Sequence, residues 1–174
     1  MGPEGEGRGE RTELLILGIG NILLGDEGVG VRAVEELKRR MCFREDVLLV
    51  DGGTMGFELL PYLEEARRLM IIDAVETGEV PGSVVKIEVE DPPGFFRQKI
   101  SPHQVGLADL FGVAALSGCL PERITLYGVV PETLETGLGL SPTVAEGMER
   151  LVALVAADLA KMGFLESDAP AALS

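Results

Sequence analysis

Two cysteines, one histidine and 15 basic residues are a sparse supply in a chain of 174. Cys42 and Cys119 stand alone, so a disulfide framework and a cysteine-based metal knuckle are both excluded, and each reads as a small buried apolar residue. The 15 basic residues face 29 acidic ones, for a formal net charge of -14, so a polyphosphate backbone is repelled and no nucleic-acid partner is expected. The densest basic cluster, Lys38-Arg39-Arg40, falls at the end of a predicted helix, where it complements the helix dipole. Long apolar runs are missing too. No uncharged stretch is longer than Leu14 to Gly25, well short of the about 18 residues that cross a bilayer, and the apolar C-terminal segment is broken by Asp158 and Lys161. Met1 to Thr12 is rich in Gly and Glu and lacks the basic start and apolar centre of a secretory signal. A soluble, cytoplasmic monomer with no membrane partner is expected.

What is present is apolar content: 46% of residues are hydrophobic, enough for one sizeable core in a chain too short for two ordinary domains. The expected layout is a disordered tail over 1–12, a single α/β domain over 13–164 and a C-terminal tail over 165–174. Leu14-Leu-Ile-Leu17, Val47-Leu-Leu-Val50, Leu69-Met-Ile-Ile72 and Ile124-Thr-Leu-Tyr-Gly-Val-Val130 are continuous apolar runs suited to strands buried on both faces. Val84-Val-Lys-Ile-Glu-Val89 alternates more and suits an edge. Val31, Val34, Leu37 and Met41 repeat at helical spacing, as do Val144, Met148, Leu151, Val155, Leu159 and Met162, with Ser141 as cap and Pro142 in the first turn of the second helix. Gly56 to Ala66 is a further helix that Pro61 bends or restarts. Strands alternating with helices predict a three-layer αβα sandwich around a twisted, mostly parallel five-stranded sheet.

In such sheets the functional crevice lies beyond the carboxyl ends of the strands. The first strand leads into Gly18-Ile-Gly-Asn-Ile-Leu-Leu-Gly-Asp-Glu-Gly-Val-Gly-Val-Arg32, the second ends in Asp51-Gly-Gly-Thr54 and the third in Asp73-Ala74. Glu27 or Asp26, Asp51 and Asp73 can thus share one rim, although a carboxylate at a strand end also serves as a cap or turn former. Asp26 is read as the cap of the helix that follows it. Gly20, Gly25, Gly28 and Gly30 are read as serving tight turning and close helix packing. The histidine, His103, lies in Ser101-Pro-His-Gln104, which reads as a capping box that puts it in a first helical turn. There the positive helix end favours a neutral ring with a nitrogen free for a metal. Two carboxylates and an imidazole suit Zn, Ni or Fe with open positions.

A dinucleotide site is the competing reading of Gly18-x-Gly20, with Asp51 as the ribose-binding acid. It fails in detail, because the expected third glycine is Leu23, the loop is too long and Asp26-Glu27 would repel a pyrophosphate. No Walker lysine and no Gly-x-Ser-x-Gly elbow is found.

Five segments taken together are far more specific than any one of them: Gly18 to Arg32, Asp51-Gly-Gly-Thr54, Ile71-Ile-Asp-Ala74, Lys99-Ile-Ser-Pro-His-Gln104 and Gly128-Val-Val-Pro-Glu132. In this order the chain resembles the hydrogenase maturation endopeptidases from about Glu13 to Phe164. The resemblance implies removal of a short C-terminal peptide from the precursor of a nickel-iron hydrogenase large subunit after nickel insertion. It also implies that Glu27, Asp73 and His103 bind the nickel, supplied by the precursor, with Asp51 near the site as the candidate catalytic residue. Nickel or a carboxylate can activate water against the scissile carbonyl, and the sequence leaves both open. A self-sufficient zinc metallopeptidase and a non-catalytic chaperone for the precursor are the other classes a cleavage assay and metal analysis would separate.

Overall fold

The apolar runs of the sequence become strands. In the computed structural model, which describes residues 11–98 and 105–167, they are β1 (Thr12–Ile19), β2 (Val47–Gly53), β3 (Ala66–Ala74), β4 (Val84–Glu88) and β5 (Arg123–Val129). They form one sheet in the order β2-β1-β3-β5-β4. The first four in that order are parallel and β4 runs antiparallel along β5. The expected mostly parallel five-stranded sheet is therefore present, and the more alternating segment is indeed an edge. Val47 to Val50 departs from its reading as a strand buried on both faces: β2 is the other edge, with Leu48 37% exposed. Run composition reports two covered faces and says nothing of whether a neighbour pairs on each side.

Strand periodicity divides the core in two. Leu15, Leu17, Leu69, Ile71, Ile124 and Leu126 face α2 (Leu60–Glu65), α3 (Pro92–Gln98) and α4 (Val105–Leu116). Leu14, Ile16, Met70, Ile72, Tyr127 and Val129 face α1 (Val29–Arg40) and α5 (Pro142–Lys161). Both amphipathic stripes found in the sequence, on α1 and α5, thus cover one face of the sheet. Ser141 caps α5 as expected, its hydroxyl accepting the N–H of Val144 at 3.3 Å, with Pro142 in the first turn. Pro61 restarts a helix: a 3-10 turn over Phe57–Leu59 hands over to α2 with the proline in its first turn. Helix α3 has no counterpart in the sequence reading, since Pro92-Pro93-Gly94 looks like loop chemistry. Its first turn instead uses residues without need of an internal donor, and Asp91 accepts the N–H of Gly94 at 3.3 Å.

Cys42 is exposed and Cys119 half-buried, which corrects the expectation that both fill the core. Cys42 lies in the turn just after α1, where its carbonyl accepts the N–H of Glu166 at 3.1 Å. Backbone pairing reaches slightly past the expected limits of the domain, with Thr12 opening β1 and Leu165 bridged to Phe43. Among the described residues, no helix is long and apolar enough to cross a membrane.

Candidate functional site

Three neighbouring strands deliver their carboxyl ends to one edge. Gly18 of β1 is level with Asp51 of β2 on one side and Ile72 of β3 on the other, and Asp73 follows one residue on, level with Gly128 of β5. The chain leaves β1, turns back on itself and enters α1 through a 3-10 turn over Gly25–Gly28, which carries Asp26 and Glu27. Gly30 lets that helix start directly on the strand ends, since a Cβ there would lie 2.1 Å from the Ile72 carbonyl oxygen and 2.4 Å from that of Ile19. The turn bearing Glu27 is therefore pressed against β3 just where it ends in Asp73-Ala74.

Glu27 and Asp73 are both buried, at 4% and 3% exposure. Asp73 Oδ1 accepts the N–H of Ala74 at 2.7 Å, which fixes its orientation at the strand end. Asp51 is exposed, on the strand flanking β1 from the opposite side. His103 lies outside the described residues, as does its capping box. Among the described residues, no three His, Cys, Asp or Glu side chains come close enough to hold a metal ion by themselves. The structure thus brings the turn of Glu27 to the end of β3, with both carboxylates withdrawn from solvent, and leaves Asp51 open at the rim.

Asp26 corrects the sequence reading. It does not cap α1, whose N-terminus has no side-chain cap. Fully buried, it accepts N–H groups from Glu132 and Thr133, each at 3.0 Å, and from Ser141 at 2.7 Å, with the Ser141 hydroxyl adding a fourth bond at 2.9 Å. One carboxylate thus ties the Glu27 turn to the segment between β5 and α5. That segment closes over Gly25, whose φ of +57° favours glycine and where a Cβ would lie a tight 3.2 Å from the Glu135 carbonyl oxygen. Arg32 reaches the Leu138 carbonyl from α1, a contact the sequence reading also missed. Its partner is 106 residues away, and no local pattern announces it.

Comparison with known proteins identifies the family. Residues 31–158 match the family model described as hydrogenase maturation protease. The chain is 43% identical over 151 residues to the hydrogenase 2 maturation protease of Escherichia coli strain K12, covering 86% of this chain and 92% of that protein. The chain belongs to the hydrogenase maturation protease family. A further member of the comparison, the hydrogenase expression/formation protein HupD of Rhodobacter capsulatus, is 43% identical over 152 residues, which span 86% of this chain and 72% of its own. The solved structure of the hydrogenase maturating endopeptidase HybD from E. coli superposes with a TM-score of 0.82 at 42% identity, covering 90% of this chain and 99% of that one. The HybD protease from Thermococcus kodakarensis gives a TM-score of 0.68 at 30% identity over 83% of this chain and 97% of its own. The resemblance read from the five segments is therefore correct, and with it the α/β fold and the assignment as an endopeptidase. Within this hydrogenase maturation protease, Asp51 and Asp73 fall inside the span matched by the family model, while Asp26 and Glu27 lie just before it.

Proposed function

We propose that this protease removes a C-terminal peptide from the precursor of a nickel-iron hydrogenase large subunit, and that it acts only on precursor already loaded with nickel. The observation that carries the reading is the pair Glu27 and Asp73, two buried carboxylates, one in the turn packed against β3 and the other at the end of that strand, in a chain of the maturation protease family. Carboxylate oxygens are hard donors of the kind a divalent ion takes, and an ion brought by the substrate can draw on both carboxylates at once. In this reading Glu27, Asp73 and His103 complete the coordination of nickel that the precursor holds. Oxygen donors and one imidazole with no thiolate form a weak site when alone, so affinity comes from sharing ligands with the substrate. Asp51, open to solvent at the same rim, serves as the carboxylate that takes a proton from the attacking water.

The test mixes purified protease with precursor from nickel-replete and nickel-starved cells and follows the size of the large subunit. Cleavage of the loaded precursor alone is expected. Equal cleavage of both, or cleavage of the starved form once zinc is added to the protease, overturns the reading.

A further inference from the structure

Beside the Glu27 turn the molecule exposes large aliphatic side chains on two segments bonded to each other. Ile22 and Leu23 precede the turn, 44% and 55% exposed, while Leu134 and Leu138 lie between β5 and α5, 41% and 73% exposed. The segments are stitched by backbone bonds. Leu23 accepts the N–H of Gly137 at 2.9 Å, Gly137 accepts that of Gly25 at 3.0 Å, and Leu24 bridges Gly137 in parallel. Asp26 and Arg32 add the side-chain ties described above.

These bonds fix the backbone of both segments while their large aliphatic side chains stay exposed. Here they are held outward, an arrangement that lowers the ordering cost of binding because the surface exists before the partner arrives. Val80 and Leu116 are more exposed still, at 74% and 92%, but stand singly, as isolated surface apolar residues commonly do. The charge of the two segments is one-sided. Residues 19–28 and 131–141 contain no lysine or arginine, and Glu132 and Glu135 are both exposed. The surface is also continuous with the site, since Ile22 Cα lies 2.9 Å from where a Cβ on Gly28 would be, immediately after Glu27.

We propose that the bridged segments 21–25 and 132–140 form a docking lip for the precursor, and that the stretch of precursor seated there carries aliphatic and basic side chains. This rests on the reading that the precursor's nickel sits at Glu27 and Asp73, and adds what holds the polypeptide beside it. An endopeptidase that cuts one bond must fix the chain as well as the metal, and the lip is the fixed apolar surface adjoining the turn.

The experiment compares nickel-loaded precursor with wild-type protease and with Leu23→Asp, Leu138→Asp, Glu135→Lys and the remote control Leu116→Asp, measuring kcat, KM and, on a biosensor, Kd. The lip variants should raise KM and Kd about tenfold or more with kcat within about twofold, while the control matches wild type. Leu138→Ser is the second substitution should an aspartate disturb folding, as followed by circular dichroism. Lip variants that behave like the control overturn the proposal. So does sedimentation of the wild type as a dimer that the variants dissolve without a change in KM, which would make a second copy the occupant. If wild-type protease binds precursor without cleaving it, the functional reading falls and the lip is judged on Kd; absence of both binding and cleavage overturns both.

Discussion

Asp26 accepts the backbone N–H of Ser141 at 2.7 Å across 115 residues of sequence, and that serine in turn caps α5. Two segments that border the site, far apart in sequence, are thereby locked by one carboxylate.

Replacing Asp26 by alanine should lower stability by about 3 kcal/mol, because several donors lose a charged acceptor at once. Asp26→Asn keeps one oxygen but turns an amide toward N–H donors, so its cost should be smaller yet measurable. Urea unfolding midpoints check both. In processing assays Asp26→Asn should be milder than removal of Glu27, since its bonds run to the scaffold. Equal loss would place Asp26 among the groups that meet the substrate.

Glu27→Ala and Asp73→Ala should each abolish processing of nickel-loaded precursor while the far-ultraviolet circular dichroism stays native. Both side chains sit at strand or turn ends, outside the two apolar layers that hold the sheet. Loss of activity only in step with loss of structure would remove them as site residues.

How much of this was legible beforehand differs by element. The strands were, because an apolar run such as Leu14 to Leu17 has to be covered on both faces whatever surrounds it. The cap at Ser141 and the restart at Pro61 were too, since both depend on adjacent residues. Helix α3 was not, as its prolines and glycine signal a loop equally well. Neither was the task of Asp26, whose partners lie more than a hundred residues on, nor the exposed state of Cys42, which depends on where α1 happens to end. Position at the strand ends could be read for Glu27, Asp51 and Asp73; whether each is buried or open required the packing.

One cluster on the α5 face of the sheet should contribute to both the acid and the alkaline limb of stability. The Lys86 ammonium at 2.7 Å and then the Tyr127 hydroxyl, also at 2.7 Å, hold Asp158 below the usual carboxylate range. A folded value below the unfolded one gives stability that is present above the unfolded value, near 4, and is lost as pH falls through the lowered one. Burial, followed by Asp158, pushes the Tyr127 hydroxyl well above its ordinary value, so its share is whole below pH about 10 and drains away above that. Asp158→Asn should flatten the acid limb and Tyr127→Phe the alkaline one, read as unfolding midpoints across pH.

Helices α1 and α5 are joined at the surface by Arg40, whose guanidinium meets both oxygens of Glu149 at 2.7 and 2.8 Å. Glu149 is 52% exposed, and a pair so open to water contributes no more than about 1 kcal/mol. Glu149→Ala should therefore shift the unfolding midpoint only slightly, and by less still in high salt. A large shift insensitive to salt would mean that the contact is desolvated in solution.

Nucleotides should not bind the glycine-rich turn, for a reason that is now geometric as well as electrostatic. A dinucleotide pyrophosphate sits where the loop after the first strand meets the start of its helix. In this protease a 3-10 turn with two buried acids occupies the approach to α1 and the segment around Glu135 closes over Gly25. Backbone donors of the loop that a phosphate would need are already committed, with Gly25 N–H on Gly137 at 3.0 Å and Gly20 N–H on Gly53 at 2.9 Å. A dianionic group would have to displace these bonds and stand beside Asp26 and Glu27 without a lysine or arginine in the turn. Calorimetry with NAD, NADP, ATP or GTP at about millimolar concentration should show no saturable heat. Micromolar binding of any of them would mean that the segment opens far enough to uncover the strand ends, and the assignment of that edge to a metal-bearing polypeptide would have to be given up.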